Sequence, residues 1–88
     1  MLVPEISRFF GIVVAMYYDD HAPPHFHVRY GEHRAILEID TAAVLFGDLP
    51  YRVLGMVVEW AASHRATLEE NWRRARARRP LLPIQPLE

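Results

Sequence analysis

An α+β fold is what this 88-residue chain predicts: a mainly antiparallel sheet of three or four strands with a C-terminal helix or helix pair packed on one face. Three observations predict it. Runs rich in β-branched and aromatic residues are confined to the first half. Gly31-Glu32, glycine first, is a two-residue turn signal that joins two of those runs as a tight hairpin. After Asp48 the apolar residues recur at spacings of three and four, the period of an amphipathic helix. One domain over residues 1–88 is expected, with a β-rich half (1–49), a helical half (50–79) and an extended proline-rich tail (80–88).

The elements follow in order. Residues 9–18 (Phe9 to Tyr18) are almost continuously apolar, as in a central strand buried on both faces. Asp19-Asp20-His21-Ala22-Pro23-Pro24 ends that strand, because the two prolines remove backbone donors and fix φ. Strands are expected at 25–30 and 33–40, with a short fourth at 42–46 before the Gly47-Asp48 turn. Asp48 suits an N-cap, and Pro50 suits a first helical turn. Val53, Val57, Trp60, His64, Leu68, Trp72 and Ala75 then form one apolar stripe. It fits one helix of about 28 residues, roughly 42 Å long. It equally fits a pair broken near residues 63–67, where Thr67-Leu68-Glu69-Glu70 reads as a capping box. Pro80, Pro83 and Pro86 end the helical part, and the tail is apolar enough to dock on the sheet or on a second subunit.

Composition excludes several chemistries. The chain has no cysteine, so disulfides, thiolate nucleophiles and cysteine-ligated zinc are ruled out. All ten basic residues are arginine, which rules out Schiff-base chemistry, a P-loop lysine and a lysine base. No glycine-rich phosphate loop or serine nucleophile elbow is present. No apolar run approaches the length of a membrane helix, and the first residues lack a basic n-region, so a cytoplasmic protein without a membrane partner is expected. A net charge of −1 hides an asymmetry: residues 1–49 balance to −4 and residues 50–88 to +3, with five arginines between Arg73 and Arg79. That run reads as a solvated helix end.

Chemistry is concentrated in residues 18–34, which hold four of the five histidines. A turn at Gly31-Glu32 pairs Tyr30 with His33, Arg29 with Arg34, Val28 with Ala35, His27 with Ile36, Phe26 with Leu37 and His25 with Glu38. Alternation then sends Phe26, Val28, Ala35, Leu37 and Ile39 to the core. His25, His27, Arg29, Arg34, Ile36 and Glu38 share the other face, and His33 drops out. Arg29 opposite Arg34 is unfavourable unless an anion or a nearby acid relieves it.

Three readings of that face stand side by side. His25 and His27, with Glu38 orienting an imidazole, supply acid and base for a metal-independent ribonuclease, while Arg29 and Arg34 bind the phosphodiester. Alternatively His21, His25 and His27, with Asp19 or Asp20 as a carboxylate, ligate a divalent transition metal such as zinc. In the third reading the histidines are structural and hydrogen-bond the Asp-Asp turn. The helical His64, Trp60 and Trp72 read as core residues.

The strings Pro4-Glu5-Ile6-Ser7-Arg8-Phe9-Phe10-Gly11-Ile12-Val13-Val14, Met16-Tyr17-Tyr18-Asp19-Asp20-His21 and Pro23-Pro24-His25-Phe26-His27-Val28-Arg29-Tyr30-Gly31 resemble a small bacterial family, domain of unknown function 4160. The resemblance continues through Gly47-Asp48-Leu49-Pro50, Glu59-Trp60, Leu68, Asn71-Trp72 and Ile84-Gln85-Pro86-Leu87. Ala22 departs from it where a polar residue is common, as does the all-arginine run near the C-terminus. It implies no settled activity and no established catalytic residues. It does imply a small partner protein of the domain of unknown function 2442 type, in a toxin–antitoxin-like pair acting on RNA or DNA. The function expected is thus one component of such a pair, acting on or binding RNA through the His/Arg face. The alternatives are a non-enzymatic module, dimeric through its long helix and tail, or a metal-binding protein.

Overall fold

A computed structural model describes residues 4–88. Among these, the chain runs through β1 (Glu5–Phe9), β2 (Ile12–Ala15), β3 (His25–Tyr30), β4 (His33–Glu38) and β5 (Val44–Gly47), then α1 (Tyr51–Ser63) and α2 (Arg65–Arg76). The strands form one antiparallel meander in the order β1-β2-β3-β4-β5. The α+β class is as expected, but the sheet has five strands rather than three or four.

The additional strand was concealed by two local features. Residues 9–18 are not one strand: Phe10 and Gly11 both take positive φ (50° and 78°) and turn the chain inside the apolar run. Such a turn matches the right-handed twist of the strands it joins, and glycine makes it accessible. In β1 an irregularity between Glu5 and Ser7 shifts the pairing with β2, so Ile6 and Ser7 are both buried and the period-2 pattern is lost. β2 itself is buried at all four positions, as a central strand should be.

The β3–β4 hairpin has all six pairs in the expected register, from Tyr30 with His33 to His25 with Glu38. Phe26, Val28, Ala35, Leu37 and Ile39 are buried together with Val53, Val57, Trp60, Leu68 and Trp72. Trp60 is fully buried and packs against both Phe9 (centroids 5.5 Å apart) and Phe26 (6.0 Å). The helices therefore cover one face of the sheet and the other stays open. No helix among the described residues is long and apolar enough to cross a membrane.

Two helices form, not one. The break is at His64 (φ −126°, ψ 24°), yet the stripe from Val53 to Ala75 stays in phase across it. The periodicity could not reveal the break, because both helices present the same face. Thr67 lies inside α2, which starts at Arg65, so the capping-box signal is not used. Asp48 likewise makes no cap; Pro50 occupies that position without a side-chain hydrogen bond.

The tail docks on its own chain. Asn71, fully buried, donates to the Leu82 carbonyl (2.9 Å) and accepts from the Leu82 N–H (2.7 Å), as a peptide group would. Trp60 Nε1 donates to the Gln85 carbonyl (2.8 Å), and Ile84 N–H donates to the Ile6 carbonyl on the outer edge of β1 (2.8 Å). One sheet edge is thereby covered. The helical stripe is buried within the chain, and of the two places expected for the tail it takes the one on its own sheet and helices.

Candidate functional site

The open face of the sheet carries the groups the register placed there. A groove of about 410 Å³ crosses it, lined by Val13, Ala15 and Tyr17, by His27 and Arg29 on β3, by Arg34 and Ile36 on β4, and by Phe46 on β5. Arg29 and Arg34 are direct cross-strand partners, both exposed. Neither meets a carboxylate among the described residues. The Glu5 carboxylate, whose ionised form Arg29 also favours from a distance, is already paired with Arg8 at 2.8 Å. Phe46 is 69% exposed at one side of the groove and Tyr17 39% exposed at the other.

A second cluster lies where β3 leaves the β2–β3 loop. Asp19 takes a left-handed backbone (φ 58°), a conformation aspartate tolerates better than most residues, and the next carboxylate folds back over β3. Asp20 Oδ1 accepts the His21 backbone N–H at 2.9 Å. Asp20 Oδ2 lies 2.9 Å from His25 Nε2 and 3.1 Å from His27 Nε2. His25 Nδ1–H donates to the Pro23 carbonyl at 2.7 Å. Packing holds these rings in place: Trp72 of α2 stacks obliquely on His25 (5.2 Å), and Tyr17 meets His27 edge-on (4.4 Å). The loop is tied to the end of α2 by Arg76, which donates to the Asp20 carbonyl at 3.5 Å, and to the segment just after it by an Arg78–Asp19 ion pair. Burial pushes the Asp20 carboxyl up, but its close polar contacts with His27, the His21 N–H and His25 outweigh it and hold the group below its ordinary range.

The expected site residues are thus divided. His27, Arg29 and Arg34 share the groove. His25 is only 8% exposed, with both ring nitrogens engaged, and stands behind the groove rather than in it. Glu38 sits opposite His25 in register, but its carboxylate accepts from Thr41 Oγ1 (2.6 Å) instead of orienting the imidazole. His25 and His27 therefore meet at Asp20, while Glu38, expected to orient an imidazole, stands apart from them. His21 contributes a backbone N–H, and its imidazole is exposed and outside the cluster; Asp20 takes the third position beside His25 and His27. Sequence offered Asp20 only as one of two acids, since its place depends on the φ of Asp19 and on contacts with a helix some 50 residues away. The sequence pattern does not mark Phe46, Tyr17 or Asn71 as site residues. Strand alternation from Arg34 could have found Phe46, which pairs with Ile36.

The arginine run behaves as a helix end. Arg73 and Arg74 pair with Glu70, Arg74 also donates to the Pro80 carbonyl, and Arg76 and Arg78 hold the β2–β3 loop.

A helix-backed antiparallel sheet with an arginine-bearing open face and an Asp/His/His cluster at its rim defines a small α+β domain. The chain matches the family model described as "Domain of unknown function (DUF4160)" over residues 11–73, and it belongs to that family. The matched span contains both clusters. Among curated proteins and solved structures, none matches the chain.

Proposed function

We propose that this protein binds single-stranded RNA on the open face of its sheet, as one component of a two-protein, toxin–antitoxin-like pair. The observation that carries the reading is Arg29 directly opposite Arg34, neither in ion-pair contact with a carboxylate among the described residues, in a groove bordered by exposed aromatic rings. Like charges directly across a strand pair destabilise a sheet, by roughly 0.2–1 kcal/mol. Their juxtaposition is useful when an anion lies between them, and two guanidiniums suit the oxygens of a phosphodiester. Phe46 and Tyr17 offer faces on which unpaired bases can stack, a contact open to single strands and closed to a duplex. The arrangement supports binding rather than cleavage, because His25 and Glu38 are engaged elsewhere.

The test is fluorescence polarisation with a labelled single-stranded RNA of about a dozen nucleotides, between 50 and 200 mM salt, in EDTA. Two phosphate contacts give a slope of log K on log salt near −1.4. Arg29→Ala/Arg34→Ala is expected to remove most of that slope and leave the RNA intact. Unchanged binding by the double variant would move the interaction to the Arg73–Arg79 end of α2.

A second surface favours the partner protein. β5 is the uncovered edge of the sheet, and Val44, Leu45 and Phe46 are 40%, 47% and 69% exposed along it. An exposed apolar edge invites another strand. The small partner implied by the family resemblance is proposed to add a strand here. Co-purification of the two proteins, lost with Leu45→Pro, is the expected outcome.

A further inference from the structure

We propose that Asp20, His25 and His27 bind one divalent transition-metal ion of the zinc class. The inference stands apart from RNA binding and rests on hydrogen-bond accounting at His25. Its Nδ1 lies 2.7 Å from the Pro23 carbonyl, which can only accept, so Nδ1 carries the proton. In the neutral ring Nε2 is then a bare lone pair, and it points at another lone-pair donor, Asp20 Oδ2, 2.9 Å away. Two lone pairs facing each other need something between or beside them that accepts both. A metal ion does so without a proton. The competing account is a second proton on His25, making an imidazolium.

Three further features favour the metal. A ring N–H given to a backbone carbonyl is the usual outer contact of a metal-bound histidine, fixing the tautomer and aiming the other nitrogen. The ligand atoms of Asp20, His25 and His27 all lie within 4.8 Å of one another. Ligands about 2.0–2.1 Å from a tetrahedral ion stand roughly 3.3 Å apart, so the 2.9 and 3.1 Å separations need open by only a few tenths of an ångström. The rings and the loop are also held in advance, by Trp72, by Tyr17 and by the Arg76 and Arg78 tethers. Two imidazoles and one carboxylate form a donor set suited to zinc or cobalt, and three protein ligands leave a position open for water or substrate. Because His27 lines the groove as well, the ion would add positive charge at its rim.

The experiment uses the full chain made without a histidine tag and stripped with EDTA, titrated with zinc chloride by calorimetry and with cobalt chloride by visible absorption. Expected are one ion per chain, cobalt bands of a four- or five-coordinate site, and a higher Tm with zinc. Asp20→Asn and His27→Ala are expected to weaken zinc at least about 100-fold, more than loss of an outer contact typically does. His21→Ala and His33→Ala should leave it unchanged. Circular dichroism of each metal-free variant separates lost binding from lost folding, and Asp20→Asn keeps the carboxylate's shape for that purpose. A wild-type chain that takes up no zinc, or one whose uptake survives both Asp20→Asn and His27→Ala, overturns the proposal in favour of the imidazolium. Uptake abolished by His21→Ala also overturns it.

Discussion

The two faces of one sheet follow opposite rules, although both are written in the same alternating strands. On the inner face Phe26, Val28, Ala35 and Leu37 meet the helical stripe and are almost completely buried. On the outer face their immediate neighbours His27, Arg29, Arg34 and Ile36 line a groove that the fold leaves open. The inner face is optimised for burial. The outer face tolerates a like-charge pair and a 69% exposed phenylalanine, neither of which helps the fold. That contrast is why the proposed RNA contact is assigned to the outer face.

Substitutions should separate the faces. The largest effect belongs to the inner one: Trp60→Ala removes the contacts to Phe9 and Phe26 and the bond to Gln85, and is expected to lower stability by roughly 3–5 kcal/mol in urea denaturation. Next is Asn71→Ala, which leaves both peptide groups of Leu82 without their partner; about 1–3 kcal/mol is expected, together with faster amide exchange along the tail and β1. Neither change should alter RNA affinity under conditions where the variant is folded. If the tail is released without loss of stability, the covered edge of β1 is not part of what holds the sheet.

Smaller effects probe the rim and the groove. The ionised form of Asp20 is favoured in the folded chain. Its contribution is therefore complete above the carboxylate range and is lost as pH falls through the depressed folded value. In Asp20→Asn the acid limb of the stability–pH profile should flatten, the variant being less stable than the wild type near neutrality and converging with it at low pH. Smallest of all in stability, and opposite in sign, is Arg34→Ala: relief of the like-charge pair should raise stability by a few tenths of a kcal/mol.

The sequence made the outer face legible because a two-residue turn and a period of two are sufficient to place it. Gly31-Glu32 sets the register, and the register alone puts Arg29 against Arg34 and separates His27 from Phe26. Where the signal was hidden, the cause is physical. The Phe10-Gly11 turn lies inside an apolar run, so composition could not show it. The His64 break leaves the stripe in phase, so periodicity could not show it. The third member of the Asp20–His25–His27 cluster depends on a single left-handed residue and on contacts from α2, neither of which local pattern encodes. His21, expected as a ligand, is exposed and outside the cluster, and its backbone N–H serves Asp20 instead.

The most direct test of the outer-face account measures two quantities on one variant, the affinity of Arg34→Ala for single-stranded RNA and its unfolding free energy. One charged contact to phosphate corresponds to about a tenfold change in affinity. The prediction is RNA binding weakened about tenfold in a protein at least as stable as the wild type. Unchanged affinity, or a loss of affinity that merely tracks a loss of stability, would contradict the claim that the fold gives up stability at this pair in order to bind.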